Sequence, residues 1–445
     1  MIENLWKTKE ERVKIRRLTR LLFCVGVASM SAGAQVRLES RQVIERRIPV
    51  AVPPFAANPD SQQVGREFPE IIADDLRFTG LFDVLEPADY PSVFHGFPKE
   101  ASNINFEAWK KTRAEHLVFG YVMIEGDQIV AECRLFDLFT VQQVEGQRLR
   151  VERTSPRRIP HKFADAIVYK LTGTPGIASS VITFSAKTYG AKEIYVADYD
   201  GANAKRLTDH GSISIQPEFA PDGRRIVYLS YKDRYPFLYL LDIVTGESSP
   251  FSKHVGMNAA PAWTPDGQAV ALVLSKDGDP EIYIKDVGGP RSRRLTENSF
   301  IDMSPTFDPR GEQIAFVSDR RGIEQIFSMN RDGGGVRRLS FQGGRSYDPA
   351  WSPDGKYIAY VVERAGDGLE IYVMDADGTN PRRLTNSYGS NESPTWSPDT
   401  RHIMFASTRS GRSELWAVTL ETGEERRVPN LDMPCQSPSW GPRRP

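Results

Sequence analysis

A chain of 445 residues has room for about two or three domains at roughly 150 residues each. Its 40% hydrophobic and 26% charged residues exclude an intrinsically disordered polymer. Fifty-seven Lys and Arg against 58 Asp and Glu leave a net charge of −1, which excludes a global basic field for nucleic acid.

Residues 1–34 read as a cleavable export signal. Lys14, Arg16, Arg17 and Arg20 form a basic region, Leu21–Ala28 an apolar one, and Ala32–Ala34 (AGA) a small-residue cleavage site, so cleavage is expected after Ala34. The apolar run is far shorter than the ~20 residues that span a bilayer. Bulky Phe23 before Cys24 argues against a lipoprotein site. Without the signal the net charge becomes −5, and Cys133 and Cys435, too far apart in sequence to form a framework, read as buried thiols.

Residues 35–173 read as an α/β domain with an extended N-terminal strand. A strand is expected over Arg47–Phe55 and an amphipathic helix over Val64–Phe78, with Phe68, Ile72 and Leu76 on one stripe. Asn105 is placed to cap a helix through Trp109. His116–Glu125, Gln128–Phe139 and Gln142–Glu152 alternate as an antiparallel set of strands. A helix over Pro160–Leu171 ends at Gly173, and residues 174–180 form a linker.

From 181 to 445 the chain repeats. Phe219–Gly223 (FAPDG) recurs as Trp263–Gly267, Phe307–Gly311, Trp351–Gly355, Trp396–Thr400 and Trp440–Arg444, with the aromatics 44 or 45 residues apart. Pro-Asp-Gly is a hairpin signal, and three further strand-like runs accompany each copy. Four short strands in ~44 residues is the period of a propeller blade. The region opens on a second strand at Ile182 and closes on a first strand at Pro438–Trp440. The expected fold is therefore an N-terminal α/β domain followed by an all-β six-bladed β-propeller closed by a C-terminal strand, with the repeat aromatics packed between blades.

Catalytic signals are sparse. No Gly-x-Ser-x-Gly elbow, phosphate-cradling loop, Cys-x-x-Cys or His-Glu-x-x-His occurs. His210 and His254 occupy equivalent places in adjacent repeats and are a candidate metal pair weighed against two solvated loop histidines. Asp222, Asp266, Asp354 and Asp399 are turn formers by position. The loops 254–260, 298–304, 342–348 and 387–393 are expected to line one channel mouth, where binding residues belong. There Asp348 and Glu392 replace the small or neutral residues of sister repeats. Arg293-Arg294 and Arg337-Arg338 read as solvated edge protection.

The repeat, together with Ile71–Leu76 (IIADDL), Ile104–Trp109 (INFEAW) and Phe136-Asp137 followed by Gly146-Gln147, resembles the TolB family, the periplasmic components of the Tol–Pal system, over nearly all of the chain after the signal. The resemblance implies a non-enzymatic periplasmic adaptor, a monomer on its own, without a cofactor unless a cation occupies the channel. It implies two partners: the peptidoglycan-associated lipoprotein Pal, giving peripheral association with the outer membrane, and TolA. Carried over residue by residue, Asn258, Ala260, Met303 and Ser304 match Pal-binding rim positions, and Gln35, Val36, Arg37 and Leu38 match the strand offered to TolA. Gln35 departs from the family, where an acidic residue is common. Two other readings stay open: a propeller accessory to a hydrolase, and a glycan- or small-ligand-binding propeller using Phe300, Tyr347 and Tyr388.

Overall fold

The computed structural model describes residues 46–443 apart from Lys99, Tyr189, Ala365 and Asp367. The export signal, its cleavage site and Gln35–Leu38 lie outside the described residues.

The first part of the described chain runs β1 (Ile48–Ala51), β2 (Ala56–Ala57), α1 (Gln62–Phe78), β3 (Phe82–Val84), α2 (Phe106–Trp109), β4 (His116–Glu125), β5 (Gln128–Asp137), β6 (Gln142–Glu152) and α3 (Arg158–Thr172). The sheet order is β3-β1-β4-β5-β6, with β2 also on β4. β1 and β2 pair with β4 in parallel, whereas β4 to β6 form an antiparallel meander. Continuous apolar runs such as Leu117–Phe119 are buried, as a sheet covered on both faces requires. Phe68, Ile72 and Leu76 of α1 and Phe163 and Ile167 of α3 bury the apolar stripes that the sequence spacing predicts. Asn105 caps α2 by accepting from the Ala108 N–H at 3.2 Å. Gly173 ends α3 in the left-handed region at φ +73°, its N–H donating to the Tyr169 carbonyl at 2.8 Å. β5 stops at Asp137, short of Phe139, because the Asp137 carboxylate accepts from the Thr140 N–H at 2.8 Å and turns the chain.

Residues 174–180 are not a free tether. The Asp165 carboxylate of α3 accepts from the N–H groups of Ala178 (2.7 Å) and Ser179 (3.0 Å), and Ile177 and Ala178 are buried.

Six four-stranded sheets follow. Blades one to five begin with innermost strands Ser214–Phe219, Asn258–Trp263, Asp302–Phe307, Arg345–Trp351 and Asn391–Trp396. Blade six combines β7 (Ser180–Thr188), β8 (Ala191–Asp198) and β9 (Lys205–Arg206) with the C-terminal strand Cys435–Arg443, which pairs antiparallel to β7 with Trp440 opposite Ile182. The ring is thus closed by strands from both ends of the propeller, which removes an open edge. In the turns after the innermost strands, Gly223, Gly267, Gly311 and Gly355 all sit at positive φ. Trp263 is buried in a core shared by blades one and two, its indole N–H donating to the Glu218 carbonyl at 3.1 Å. Both Cys133 and Cys435 are buried free thiols.

Strand alternation puts the loops entering the innermost strands on one face and the Pro-Asp-Gly hairpins on the other. The α/β domain docks on the hairpin face. Arg426 of blade five donates to the carbonyls of Arg77 (2.9 Å) and Phe78 (3.1 Å) at the end of α1. The Phe78 ring packs against Tyr199, His402 and Trp440. Among the described residues, none of this domain is bonded to the opposite face of the ring.

Candidate functional site at the uncovered channel mouth

Each innermost strand carries one residue before its proline in the left-handed region: Gln216, Ala260, Ser304, Asp348, Ser393 and Ser437, at φ between +44° and +54°. This backbone is disfavoured for any non-glycine residue, and more so before proline. It persists because a β-bulge is built into all six strands at that point, where the register with the second strand shifts. The bulges turn six side chains to the channel from a rigid frame.

Neighbouring blades are laced together along this ring. The Ala260 N–H donates to Gln216 Oε1 at 3.3 Å, and Ser304 Oγ donates to Asp348 Oδ1 at 3.4 Å. The Ser393 N–H donates to the same Asp348 carboxylate. Just after the prolines, hydroxyls of Thr306, Thr395 and Ser439 accept from the N–H of Trp351 (3.4 Å), Trp440 (3.1 Å) and Phe219 (3.2 Å) in the next blade.

One acid, Asp348, stands in the ring, and two others, Glu392 and Glu218, lie beside it. Burial pushes the Asp348 carboxyl up, against the hydrogen bonds from Ser304 and Ser393. Burial and the charge of Asp348 push Glu392 up. Burial pushes Glu218 up to about 7 despite a hydrogen bond with Ser439. Their ionisation therefore favours a partner that brings positive charge or hydrogen-bond donors.

Four of the mouth loops are pinned from beneath by buried side chains near the start of a third strand. Glu193 accepts from the N–H groups of His210 (2.8 Å) and Gly211 (2.9 Å). Glu281 accepts from the Asn298 N–H (2.6 Å) and Arg294 (3.0 Å). Gln325 donates to the Gly344 carbonyl at 2.6 Å and accepts from Arg338 at 3.0 Å. Glu370 accepts from Asn391 (3.0 Å) and Arg383 (2.6 Å). Sequence reading missed this function. Its signal is the acid or amide that stands before Ile194, Ile282, Ile326 and Ile371. The same bonds correct the reading of the arginine pairs as solvated: Arg294 and Arg338 are half-buried braces, while Arg293 and Arg337 face solvent.

Above these braces five successive loops each expose an apolar side chain: Ile213, Val255, Phe300, Phe341 and Tyr388, the last 95% exposed. An uncovered apolar rim around a polar channel is a docking surface in form.

Of the residues singled out by sequence, Ser304 and Asp348 touch, and Glu392 feels the charge of Asp348. Ala260 joins the bulge ring, and Met303 is half-buried against the core of blades three and four. Asn258 is fully buried. Its amide ties its own loop, accepting from the His254 N–H (3.1 Å) and donating to the His254 carbonyl (2.8 Å). Phe300 and Tyr388 lie on the rim, whereas Tyr347 donates to Glu363 at 3.1 Å. The two repeat histidines have separate partners. His210 bonds Ser214 at 3.2 Å and stacks on Tyr228, and His254 joins no potential metal-holding group among the described residues. No helix among the described residues is long and apolar enough to cross a membrane.

Residues 168–444 match the family model of the TolB beta propeller domain, and residues 36–144 that of the TolB amino-terminal domain. The Tol-Pal system protein TolB of Roseobacter denitrificans is 36% identical over 231 residues, covering 50% of this chain and 51% of that protein. That of Dinoroseobacter shibae is 36% identical over 230 residues, with the same coverage. The chain thus spans about half the length of the curated relatives it matches. The crystal structure of TolB from Acinetobacter baumannii superposes with a TM-score of 0.79 at 26% identity, covering 89% of this chain and 97% of that one.

Proposed function

Because the chain belongs to the TolB family, we propose that it is a non-enzymatic periplasmic adaptor of the Tol–Pal system. It docks Pal on the uncovered channel mouth and offers Gln35–Leu38 to TolA as an added strand, helping to hold the outer membrane during constriction. Ala260, Met303, Ser304, Asp348 and Glu392 contact Pal, while Asn258 sets the shape of its loop.

The observation that carries this reading is the mouth itself. Five loops, four braced by buried side chains of the third strands and one tied by Asn258, present an apolar rim around a ring of strained bulges and acids. Such pre-organisation suits a rigid protein partner, because little loop ordering has to be paid for on binding. The inner polar ring sets register and the apolar rim supplies area. A strand offered at the N-terminus is bound through main-chain hydrogen bonds, with alternate side chains setting specificity.

The test is a pull-down of Pal and of the TolA partner domain with the purified chain. Ser304→Arg is expected to abolish Pal capture, because a guanidinium would crowd Asp348 and fill the mouth, while TolA capture persists. Removal of residues 35–38 should do the reverse. Pal capture undiminished by Ser304→Arg would remove the mouth from the interface. Covalent labelling by a serine-hydrolase probe would restore the enzyme reading.

A further inference from the structure

A second group of ionisable side chains gathers where the α/β domain meets blade six. Asp75 of α1, Arg157 and His161 at the start of α3, and Asp198, Tyr199 and Asp200 at the end of β8 converge there. The Asp75 carboxylate accepts from the Tyr199 hydroxyl at 2.7 Å through Oδ1 and pairs with His161 Nδ1 at 2.8 Å through Oδ2. Asp75 and His161 are each 4% exposed and Tyr199 2%. With Nδ1 committed to Asp75, the buried Nε2 of His161 has no hydrogen-bond partner among the described residues. A ring nitrogen of His161 and a carboxylate oxygen from each of Asp198 and Asp200 lie within 4.8 Å of one another.

We propose that His161 Nε2, Asp198 and Asp200 form a binding site for a divalent transition-metal ion of the zinc class. An ion held at about 2.0–2.2 Å from nitrogen and oxygen ligands brings those ligands within roughly 3–4.5 Å of one another, so the observed spacing needs only small adjustments. The Asp75–His161 pair is the outer arrangement that such sites use: a carboxylate fixes the ring and leaves the far nitrogen's lone pair for the metal. An imidazole beside two carboxylates selects zinc, cobalt or nickel over calcium and magnesium, which take oxygen ligands. Three protein ligands leave a fourth position for water.

Arg157 now balances the two carboxylates. Its Nη2 bonds Asp200 and its Nε lies 3.7 Å from Asp198, to which Asn203 Nδ2 also donates at 2.7 Å. A divalent ion supplies twice the charge at the same place. The displaced guanidinium has somewhere to go, since a cavity of about 770 Å³ lined by Arg157, His161, Lys162, Asp198 and Lys205 adjoins the cluster. The ion would bridge α3 to the propeller and so fasten the two domains together.

The experiment is calorimetric titration of the whole chain with Zn²⁺, and separately with Ca²⁺, paired with crystals soaked in Zn²⁺ and measured at the zinc edge. One zinc per chain, with its anomalous peak beside His161 Nε2, is expected, and calcium should give no comparable binding heat. Arg157→Gln should bind zinc at least tenfold more tightly, because a competing cation is gone. Asp200→Asn leaves the His161–Asp75 pair intact and should weaken zinc at least tenfold. The proposal is overturned if the zinc peak is absent from His161 in both the wild type and Arg157→Gln, or if Arg157→Gln binds zinc no more tightly than the wild type.

Discussion

Glu218 occupies the position just after the bulge proline in blade one, where the other blades place Ala, Thr or Ser. Its carboxyl is pushed up to about 7 by burial. The folded state therefore holds a proton that the unfolded chain has already released, between about pH 4.5 and pH 7. Stability contributed by the neutral carboxyl is present below the lower value and is lost as pH rises through the upper one. A shift of this size corresponds to at most about 3 kcal/mol, less where channel water screens the charge. Glu218→Gln keeps the shape and the Ser439 contact without the charge. It should melt above the wild type at pH 8 and level with it at pH 4.5, by thermal denaturation across that range. A melting difference independent of pH would show that packing, not charge, governs this position.

At the scale of elements, the blade hairpins carry their own natural experiment. Gly223, Gly267, Gly311 and Gly355 hold the left-handed position after Pro-Asp or Pro-Arg, but blade five has Thr400 there at φ +63°. A β-branched residue in that region costs about 1–2 kcal/mol, partly offset by the greater entropy that glycine loses on folding. Thr400→Gly should raise the stability by about 1 kcal/mol in denaturant unfolding, whereas Gly355→Thr should lower it. Equal stabilities would mean that the blade-five turn has relaxed elsewhere. These hairpins were readable from sequence because Pro, Asp and Gly each impose a local geometry and recur at a fixed interval. Asp348 and Glu392 were readable as departures from that interval. The loop braces were not: Glu193, Glu281 and Glu370 look like the polar member of an alternating strand, and only the return of a distant loop over them makes them buried. Asn258 illustrates the same limit, since its place in the repeat puts it at the mouth while its amide is spent on its own loop. Single loop residues such as Val255 and Phe341 carry no local pattern, so the apolar rim emerges only when the ring closes.

At the scale of the molecule, the face left open for a partner is decided by where the α/β domain docks, and that docking has no periodic signature in sequence. It joins Phe78 to His402 and Trp440, residues more than 300 positions apart. Its anchor is Arg426, which caps carbonyls at the α1 C-terminus and lies over the Phe78 ring at 5.4 Å. A cation there also meets the negative end of the helix dipole. Arg426→Ala would leave the Arg77 and Phe78 carbonyls without this donor and remove one cation–π contact, a loss of about 1–3 kcal/mol. The loss falls on the junction, not on either core. Scanning calorimetry should accordingly resolve an earlier transition for the α/β domain while the propeller transition keeps its temperature. His402 adds a pH dependence to the same junction, because burial lowers its pKa to about 4 and keeps it neutral against Phe78. The stability it contributes is present above about pH 6.5, the unfolded value, and is lost as pH falls through 4. The split between the two transitions in Arg426→Ala should therefore widen on acidification from pH 6.5 to pH 4. A single transition at every pH would show that the pinned linker at Asp165, and not the α1 terminus, couples the two domains.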